Sequence, residues 1–301
     1  MLNSLLSALP GAVAQGLIWG LMAIGVYITF KILDVADLTV DGSICTGAAV
    51  CTVLIINGQS VAVALIAAVF AGVLAGILTG LFHTVLGIPA ILAGILTQLI
   101  LWSVNLKILG KANQSISART YNVLVSQMEI PKACIVLVIV SAVLIGLLYW
   151  FFGTELGCSV RATGCNLHMS RAQGINVSFT KILGLALSNG VVALSGALLC
   201  QYQGFTDINM GRGAIVIGLA AVIIGDAIIS HFSSNFIARL VGVVLGGIVY
   251  YVVYQVVIVL GLDTDLLKMF SALVVALFLG LPYVKSKYTK AKPKKGEKEN
   301  A

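Results

Sequence analysis

Long apolar stretches separated by short polar segments run through almost the whole chain. A helix needs about 20 apolar residues to cross the hydrocarbon core of a bilayer, and nine stretches approach or reach that length. We place membrane spans at residues 11–30, 42–57, 61–82, 86–105, 132–152, 182–202, 212–230, 237–260 and 266–284. The second span is short and the seventh is rich in glycine, so either could be a broken or tilted helix. The pattern predicts an all-α polytopic membrane protein.

Several residues recur at a nearly constant spacing, which indicates an internal repeat. The separation along the chain is the same for three pairs of residues: Asp37 and Asp207, Gly72 and Gly242, and Gly76 and Gly246. The separation between Gln15 and Asn189 is slightly larger. The spacing fits two units of four helices, at about residues 11–105 and 182–284, with a linking helix at residues 132–152. One odd helix between the units inverts the second unit, as in many transporters. The glycines themselves are interpreted as packing residues that let helices approach closely.

Composition excludes a soluble globular domain. The chain is 59% hydrophobic and 10% charged, whereas soluble domains average about 45–50% apolar and about 25% charged residues. Much of the net charge of +7 lies in residues 285–301, which hold seven Lys and two Glu. The basic charge therefore does not indicate nucleic-acid binding. We divide the chain into a transmembrane domain, residues 1–284, and a basic tail, residues 285–301, which we expect to touch anionic lipid.

Orientation follows from the lysine cluster of the tail, because cytoplasmic segments are enriched in Lys and Arg. The tail is placed in the cytoplasm, and nine crossings then place the N-terminus outside. Residues 153–181, with Arg161, Arg171 and Lys181, fall on the cytoplasmic side. Residues 106–131 would be external although they carry three cations, and we give the tail more weight.

Residues 153–181 are too polar to span a membrane and too long for an ordinary connection of about 4–6 residues. They contain the pattern Gly157-x-x-x-Arg161-Ala162-Thr163-Gly164-x-Asn166, followed by Ala172-x-Gly174-Ile175. This pattern predicts a short helix, a glycine break and a second short helix. Such a compact knob could fit a cleft on a partner protein, and the alternative is a simple connector.

At these residues the chain resembles the permease subunits of bacterial ABC importers. The resemblance also includes Asp37-Leu38-Thr39-Val40-Asp41-Gly42-Ser43 and Leu194-Ser195-Gly196-Ala197. It points to the branch of branched-chain amino acid, ribose and nucleoside permeases, and more narrowly to permeases paired with amino-acid-binding lipoproteins. The implied fold is that of type II importers, in which two four-helix units flank a linking helix. The implied location is the bacterial inner membrane.

The resemblance also implies a separate ATPase, which would hold ATP and Mg²⁺ and bind the segment at residues 153–181. The coupling residues carried over are Gly157, Arg161, Ala162, Gly164, Asn166, Ala172, Gly174 and Ile175. Leu167-His168-Met169 departs from the family pattern and is left out. Arg161 and Gly164 are expected to serve the ATPase contact and not the fold. Other implied partners are a second permease subunit, expected to be identical, and an external binding lipoprotein. The chain has no G-x-x-x-x-G-K-[ST] phosphate loop, and neither catalytic residues nor a cofactor are assigned to it.

The path for the solute is predicted from matching glycine-containing segments in the two halves, Asp37–Ser43 and Asp207–Gly213. Candidate path residues are Gln15, Asp37, Asp41, Asn189, Asp207 and Asn209. Gln15 and Asn189 could instead form hydrogen bonds between helices. No cluster of cations suits a phosphorylated solute. We therefore predict import of a small polar solute, and the resemblance favours an amino acid, aromatic ones included.

Two other functions compete with import by an ABC system. Asp34, Asp37 and Asp41 are spaced like the carboxylates that hold Mg²⁺ in membrane prenyl transferases, but the second half lacks a matching cluster. A secondary transporter or channel would need ionisable groups within the membrane, and only Asp226 lies close to an apolar centre. No metal site is predicted, because the three histidines are isolated and the six cysteines form no C-x-x-C pair.

Overall fold

The computed structural model describes residues 2–117, 120–229 and 235–259, together with the single positions 269, 273, 276 and 280. The helices within these ranges are α1 (Leu2–Tyr27), α2 (Val40–Ile56), α3 (Val61–Thr84), α4 (Ala90–Leu109), α5 (Ile130–Gly153), α6 (Glu155–Cys165), α7 (Leu167–Ala172), α8 (Val177–Gln203), α9 (Ala214–Ile229) and α10 (Phe236–Val259). The strands are β1 (Asn113–Ser115) and β2 (Phe205–Asp207). Six of the described helices are long and apolar enough to cross a membrane, and α2 and α9 are shorter apolar helices. The chain is therefore a mostly helical, polytopic membrane protein.

Eight of the nine predicted spans fall on helices of the described part. Apart from the four single positions, the ninth span, residues 266–284, and the tail lie outside the described residues, so the count of nine stays a prediction. α8 begins at Val177, before the predicted start at residue 182. The cause is local, because the Asn176 side chain accepts a hydrogen bond from the Phe179 N–H (3.1 Å) and caps the helix.

Two other helices differ from the predicted spans. α1 is longer than the predicted span, because it begins at Leu2 and continues through a π-helical turn at Ile28–Ile32. α4 begins at Ala90 rather than at residue 86, directly after Pro89. Proline lacks the backbone N–H that a helix interior needs, so it is tolerated at a helix start.

α1 and α8 lie at the centre of the helix bundle. Of their membrane-length segments, 83% and 78% are buried, whereas the values for α3, α4 and α5 are 28%, 28% and 22%. The outer faces of α3 and α5 carry exposed apolar side chains such as Phe70, Leu74 and Val143. These faces suit contact with lipid, because soluble proteins rarely expose large continuous apolar surfaces to water.

Glycines allow the closest helix contacts, as the sequence predicts. A Cβ at Gly72 would meet the Asn189 backbone, and a Cβ at Gly76 would meet the Leu185 backbone, so both glycines of α3 press against α8. The other glycines at helix contacts are Gly47 between α2 and α8, Gly16, Gly20 and Gly247 between α1 and α10, and Gly225, Gly242 and Gly246 between α9 and α10. The packing interpretation of these small residues is confirmed.

A small antiparallel sheet, which the sequence analysis did not predict, joins the segments after α4 and α8. β1 pairs with β2 with Asn113 opposite Asp207 and Ser115 opposite Phe205. The Ile208 N–H donates to the Ala112 carbonyl (3.0 Å) and extends the pairing by one bond. The sheet therefore holds the start of the segment that leads into α9.

Candidate functional site

A network of buried polar side chains joins α2, α3 and α8. The Asn189 amide donates to Asp37 Oδ2 (2.7 Å), and the Ser43 hydroxyl donates to Asn189 Oδ1 (2.6 Å). The other Asp37 oxygen accepts the Thr39 backbone N–H (2.9 Å), and the Thr39 and Thr79 hydroxyls are hydrogen-bonded (2.7 Å). All five residues are at most 3% exposed. For Asp37 and Asn189 this placement favours a role in holding helices together over contact with a passing solute.

Asp41 connects the first half of the chain to the start of α9. Its two carboxylate oxygens accept the backbone N–H groups of Gly213 (2.9 Å) and Ile215 (3.0 Å). The first N–H groups of a helix have no partner within the helix, and a carboxylate is favoured beside them by the helix dipole. The two segments predicted to line a path, Asp37–Ser43 and Asp207–Gly213, therefore meet at Asp41.

A cavity of about 260 Å³ lies between α2, α4 and the segment before α9. Its lining residues are Asp41, Gly42, Cys45, Gln98, Leu99, Trp102, Asn105, Ile208 and Arg212. Asp41 is the one predicted path residue among them. The cavity combines an acidic, a basic and two amide side chains with an apolar wall.

Asp207 and Asn209 shape the segment that carries Arg212, but they do not line the cavity. Asp207 Oδ1 accepts the Asn209 N–H (2.7 Å), and the Asn209 carbonyl accepts the Arg212 N–H (3.1 Å). Gln15 lies half-buried on α1 and also does not line the cavity. The six predicted path residues therefore do not form one site. Asp37 and Asn189 belong to the buried polar network, Asp41 contacts the start of α9, Asp207 and Asn209 form this turn, and Gln15 lies apart on α1.

The segment between α5 and α8 folds into the two short helices that the sequence predicts, α6 and α7. The break between them lies at Asn166 and not at a glycine, so that part of the prediction is wrong. The Asn166 side chain accepts the N–H groups of His168 and Met169, both at 3.0 Å, and caps α7. Gly164 lies inside α6, where a Cβ would collide with the Ile32 carbonyl.

The predicted coupling residues lie on both the inner and the outer sides of this pair of helices. Gly157 is buried, Ala162, Gly164 and Ile175 are half-buried, and Arg161, Asn166, Ala172 and Gly174 are exposed. Gly174 has φ +80°, a left-handed conformation in which a side chain would be strained. The exposed surface of α7 also carries Leu167 (39% exposed) and Met169 (56% exposed).

Comparison with known proteins supplies the family. Residues 9–281 match the model of the family described as branched-chain amino acid transport system, permease component. The chain belongs to this permease family. The resemblance to permease subunits of bacterial ABC importers, drawn from the loop residues, is confirmed.

Individual relatives agree with the assignment of this chain to the permease family. The permease is 36% identical over 276 residues to a tyrosine transport system permease protein of Clostridioides difficile, and the alignment covers 91% of each chain. It is 34% identical over 286 residues to an uncharacterised protein of Rickettsia prowazekii, covering 94% of the permease and 99% of the relative. A xylose transport system permease protein of Haemophilus influenzae is 30% identical over 96 residues, which cover 32% of the permease and 24% of the relative. No solved structure matches. The permease is a transport subunit and not an enzyme.

Arg161 and Gly164 of the permease have structural contacts, which corrects the expectation that they serve only an ATPase. Arg161 donates to the Phe152 carbonyl (3.0 Å), and its guanidinium lies 5.8 Å from the centre of the Phe236 ring. A Cβ at Gly164 would collide with the Ile32 backbone. Both residues therefore hold α6 against the membrane helices.

The acidic residues behind the competing functions have separate surroundings in the permease. Asp226, near the end of α9, forms an ion pair with Lys31 (2.9 Å). This pairing is more typical of a carboxylate at a helix end than of one in an ion path. Asp34 is exposed, whereas Asp37 contacts Asn189 and Asp41 contacts α9. The three carboxylates therefore do not converge on one metal site.

Three polar residues of the cavity were missed in the sequence analysis. Gln98 and Asn105 are separated by about two helical turns, so they share one face of α4. This spacing within an apolar span was a usable signal. Arg212 had no such signal, because its position beside α2 depends on the turn at Asp207 and the bonds to Asp41.

Proposed function

We propose that this permease imports an amino acid, driven by ATP that separate subunits hydrolyse. The observation that carries the proposal is its similarity, over 91% of both chains, to a permease named for tyrosine transport. The cavity supports it, since its carboxylate and guanidinium suit an amino acid better than an uncharged sugar. The Lys31–Asp226 ion pair weighs against a secondary transporter that relies on Asp226.

Uptake in cells tests the substrate class. We expect cells that lack the gene to lose uptake of one or a few labelled amino acids, with tyrosine tested first. Labelled ribose and a nucleoside serve as controls and should enter at the normal rate. Normal uptake of every amino acid together with lost uptake of a sugar or nucleoside would reject the amino acid proposal.

The proposed orientation places α6 and α7 in the cytoplasm, where an ATPase that holds ATP and Mg²⁺ would bind them. These helices lie between α5 and α8, and they combine a polar body with exposed Leu167 and Met169. The lysine cluster of residues 285–301 supports the same orientation. The N-terminus is then outside, and the segment with β1 and β2 faces the external binding lipoprotein.

A charge placed on the exposed face of α7 tests this contact. Met169→Glu should abolish copurification of the ATPase and lower transport-coupled ATP hydrolysis roughly tenfold or more, because a carboxylate buried without a partner is costly. Met128→Glu is the matched control, since Met128 is 66% exposed and precedes α5, at the opposite end of that helix. Full coupling in the Met169 variant, or loss in the Met128 variant, would contradict both the contact and the orientation.

The proposed architecture has nine spans arranged as an inverted repeat. Two observations support it. Asp37 accepts the N–H of the residue two positions later, and Asp207, its counterpart at the repeat spacing, does the same. In addition, α3 packs along α8 through Gly72 and Gly76, while α10 packs along α1 through Gly247. The third helix of each unit thus packs on the first helix of the other.

We propose that two permease subunits, expected to be identical, form the complete transporter. An alternating path between two like subunits needs both, and ATP sites of such machines are shared between two ATPases. The remaining exposed apolar faces contact lipid. Delivery by an external lipoprotein completes the proposed set of partners.

A further inference from the structure

The cavity between α2, α4 and the segment before α9 contains an amide that the fold does not use. Asn105 is 1% exposed, and neither Nδ2 nor Oδ1 has a hydrogen-bond partner among the described residues. Buried amides are nearly always paired in proteins. Asn105 lines the cavity, so this unpartnered amide lies at the cavity wall.

The same cavity holds two charged side chains of opposite sign. The ion pairs of the described residues are Lys31–Asp226 and Lys132–Glu129, so Asp41 and Arg212 are not paired with each other. Asp41 accepts two backbone N–H groups and keeps further acceptor capacity, while a guanidinium offers five donors. A separated carboxylate and guanidinium in one cavity match a ligand that carries both charges.

The remaining walls set the size and polarity of that ligand. Leu99, Trp102 and Ile208 supply apolar surface, and Gln98 supplies a second amide. The volume of about 260 Å³ is slightly below the range of about 300–1,000 Å³ for sites of drug-sized ligands. A single small metabolite therefore suits the space.

We infer that this cavity is a binding site for the transported α-amino acid within the permease itself. The ligand carboxylate binds Arg212, its ammonium group binds Asp41 and Asn105 Oδ1, and its side chain lies against Leu99 and Trp102. This inference rests on the proposed import of an amino acid, and it places a binding site for the solute in the permease in addition to that of the external lipoprotein. A sugar or nucleoside would offer no opposite charge to Asp41 or Arg212.

Direct binding to the isolated permease tests the site. The protein is placed in lipid nanodiscs without ATPase or lipoprotein, and binding of each labelled proteinogenic L-amino acid is measured. For the amino acid that binds, the decarboxylated and the deaminated analogues should compete roughly tenfold or more weakly, because each lacks one charged contact. This comparison uses the unmodified chain and does not depend on the folding of a variant.

Variants then assign the contacts. Arg212→Gln and Asn105→Leu should each weaken binding roughly tenfold or more, with unfolding midpoints near that of the unmodified protein. Lys107→Gln is the matched control, since Lys107 lies on α4 beyond Asn105, is exposed and does not line the cavity; it should bind normally.

Three results would overturn the site: binding of no amino acid, equal competition by both analogues, or normal binding in both variants. Each leaves the proposed function intact if uptake of an amino acid in cells still depends on the gene. A different result would reject the proposed function: uptake of a sugar or nucleoside depends on the gene, and uptake of every amino acid does not.

Discussion

Replacement of Gly76 by valine should prevent the permease from folding stably. A Cβ at this position would collide with the backbone of Leu185 and Ala186, and backbone atoms cannot turn aside as a flexible side chain can. Overpacking costs typically about 1–3 kcal/mol, and we expect the upper end of that range or more, because α3 and α8 must separate. The measurement is the yield of monodisperse protein in mild detergent and its thermal unfolding midpoint.

Gly146→Val is the matched control for this experiment. Gly146 is also a helix-interior glycine of a membrane span, on α5, but it is exposed and a Cβ there would meet no neighbouring atom. Its variant should match the parent protein in yield and unfolding midpoint. If the Gly76 variant were as stable as the Gly146 variant, the close contact between α3 and α8 would be wrong.

The second large effect is expected at Asn189. Asn189→Leu removes the donor to Asp37 and the acceptor of the Ser43 hydroxyl, and leaves both groups buried. Removing one partner of a buried polar network typically costs about 3 kcal/mol or more when the remaining group is an acid. The unfolding midpoint should fall clearly below that of the parent protein.

Asn105→Leu provides the contrast, because it replaces another buried helical asparagine by the same residue. The Asn105 amide has no partner among the described residues, so its replacement by an apolar side chain should be neutral or stabilising. Equal destabilisation by the two substitutions would show that hydrogen bonding does not distinguish these positions.

The apolar pattern predicts most of the helices, because the length and apolar character of a membrane span are local properties of the sequence. It gives the positions of α2, α3, α5 and α10 to within a few residues. Ends such as those of α4 and α8 depend on single residues, Pro89 and Asn176, whose effect a window of hydrophobicity averages away.

The site is less predictable, because its contacts join residues far apart in the chain. Asp41 was predicted from its glycine-containing segment, but its bonds to Gly213 and Ile215 span more than half of the chain. The pairing of β1 with β2, which positions Arg212, also joins segments far apart in the chain, although over a shorter separation. The loop pattern identified the family, yet it did not distinguish residues that anchor α6, such as Gly164, from residues that face outward, such as Ala172.

The bonds from Asp41 to the start of α9 also constrain motion. They fasten α2 to α9 across the boundary between the two halves of the chain. A hinge between the halves at this point would have to break both bonds. If the proposed transporter opens and closes a path, we therefore expect the moving parts to be the helices around this pair.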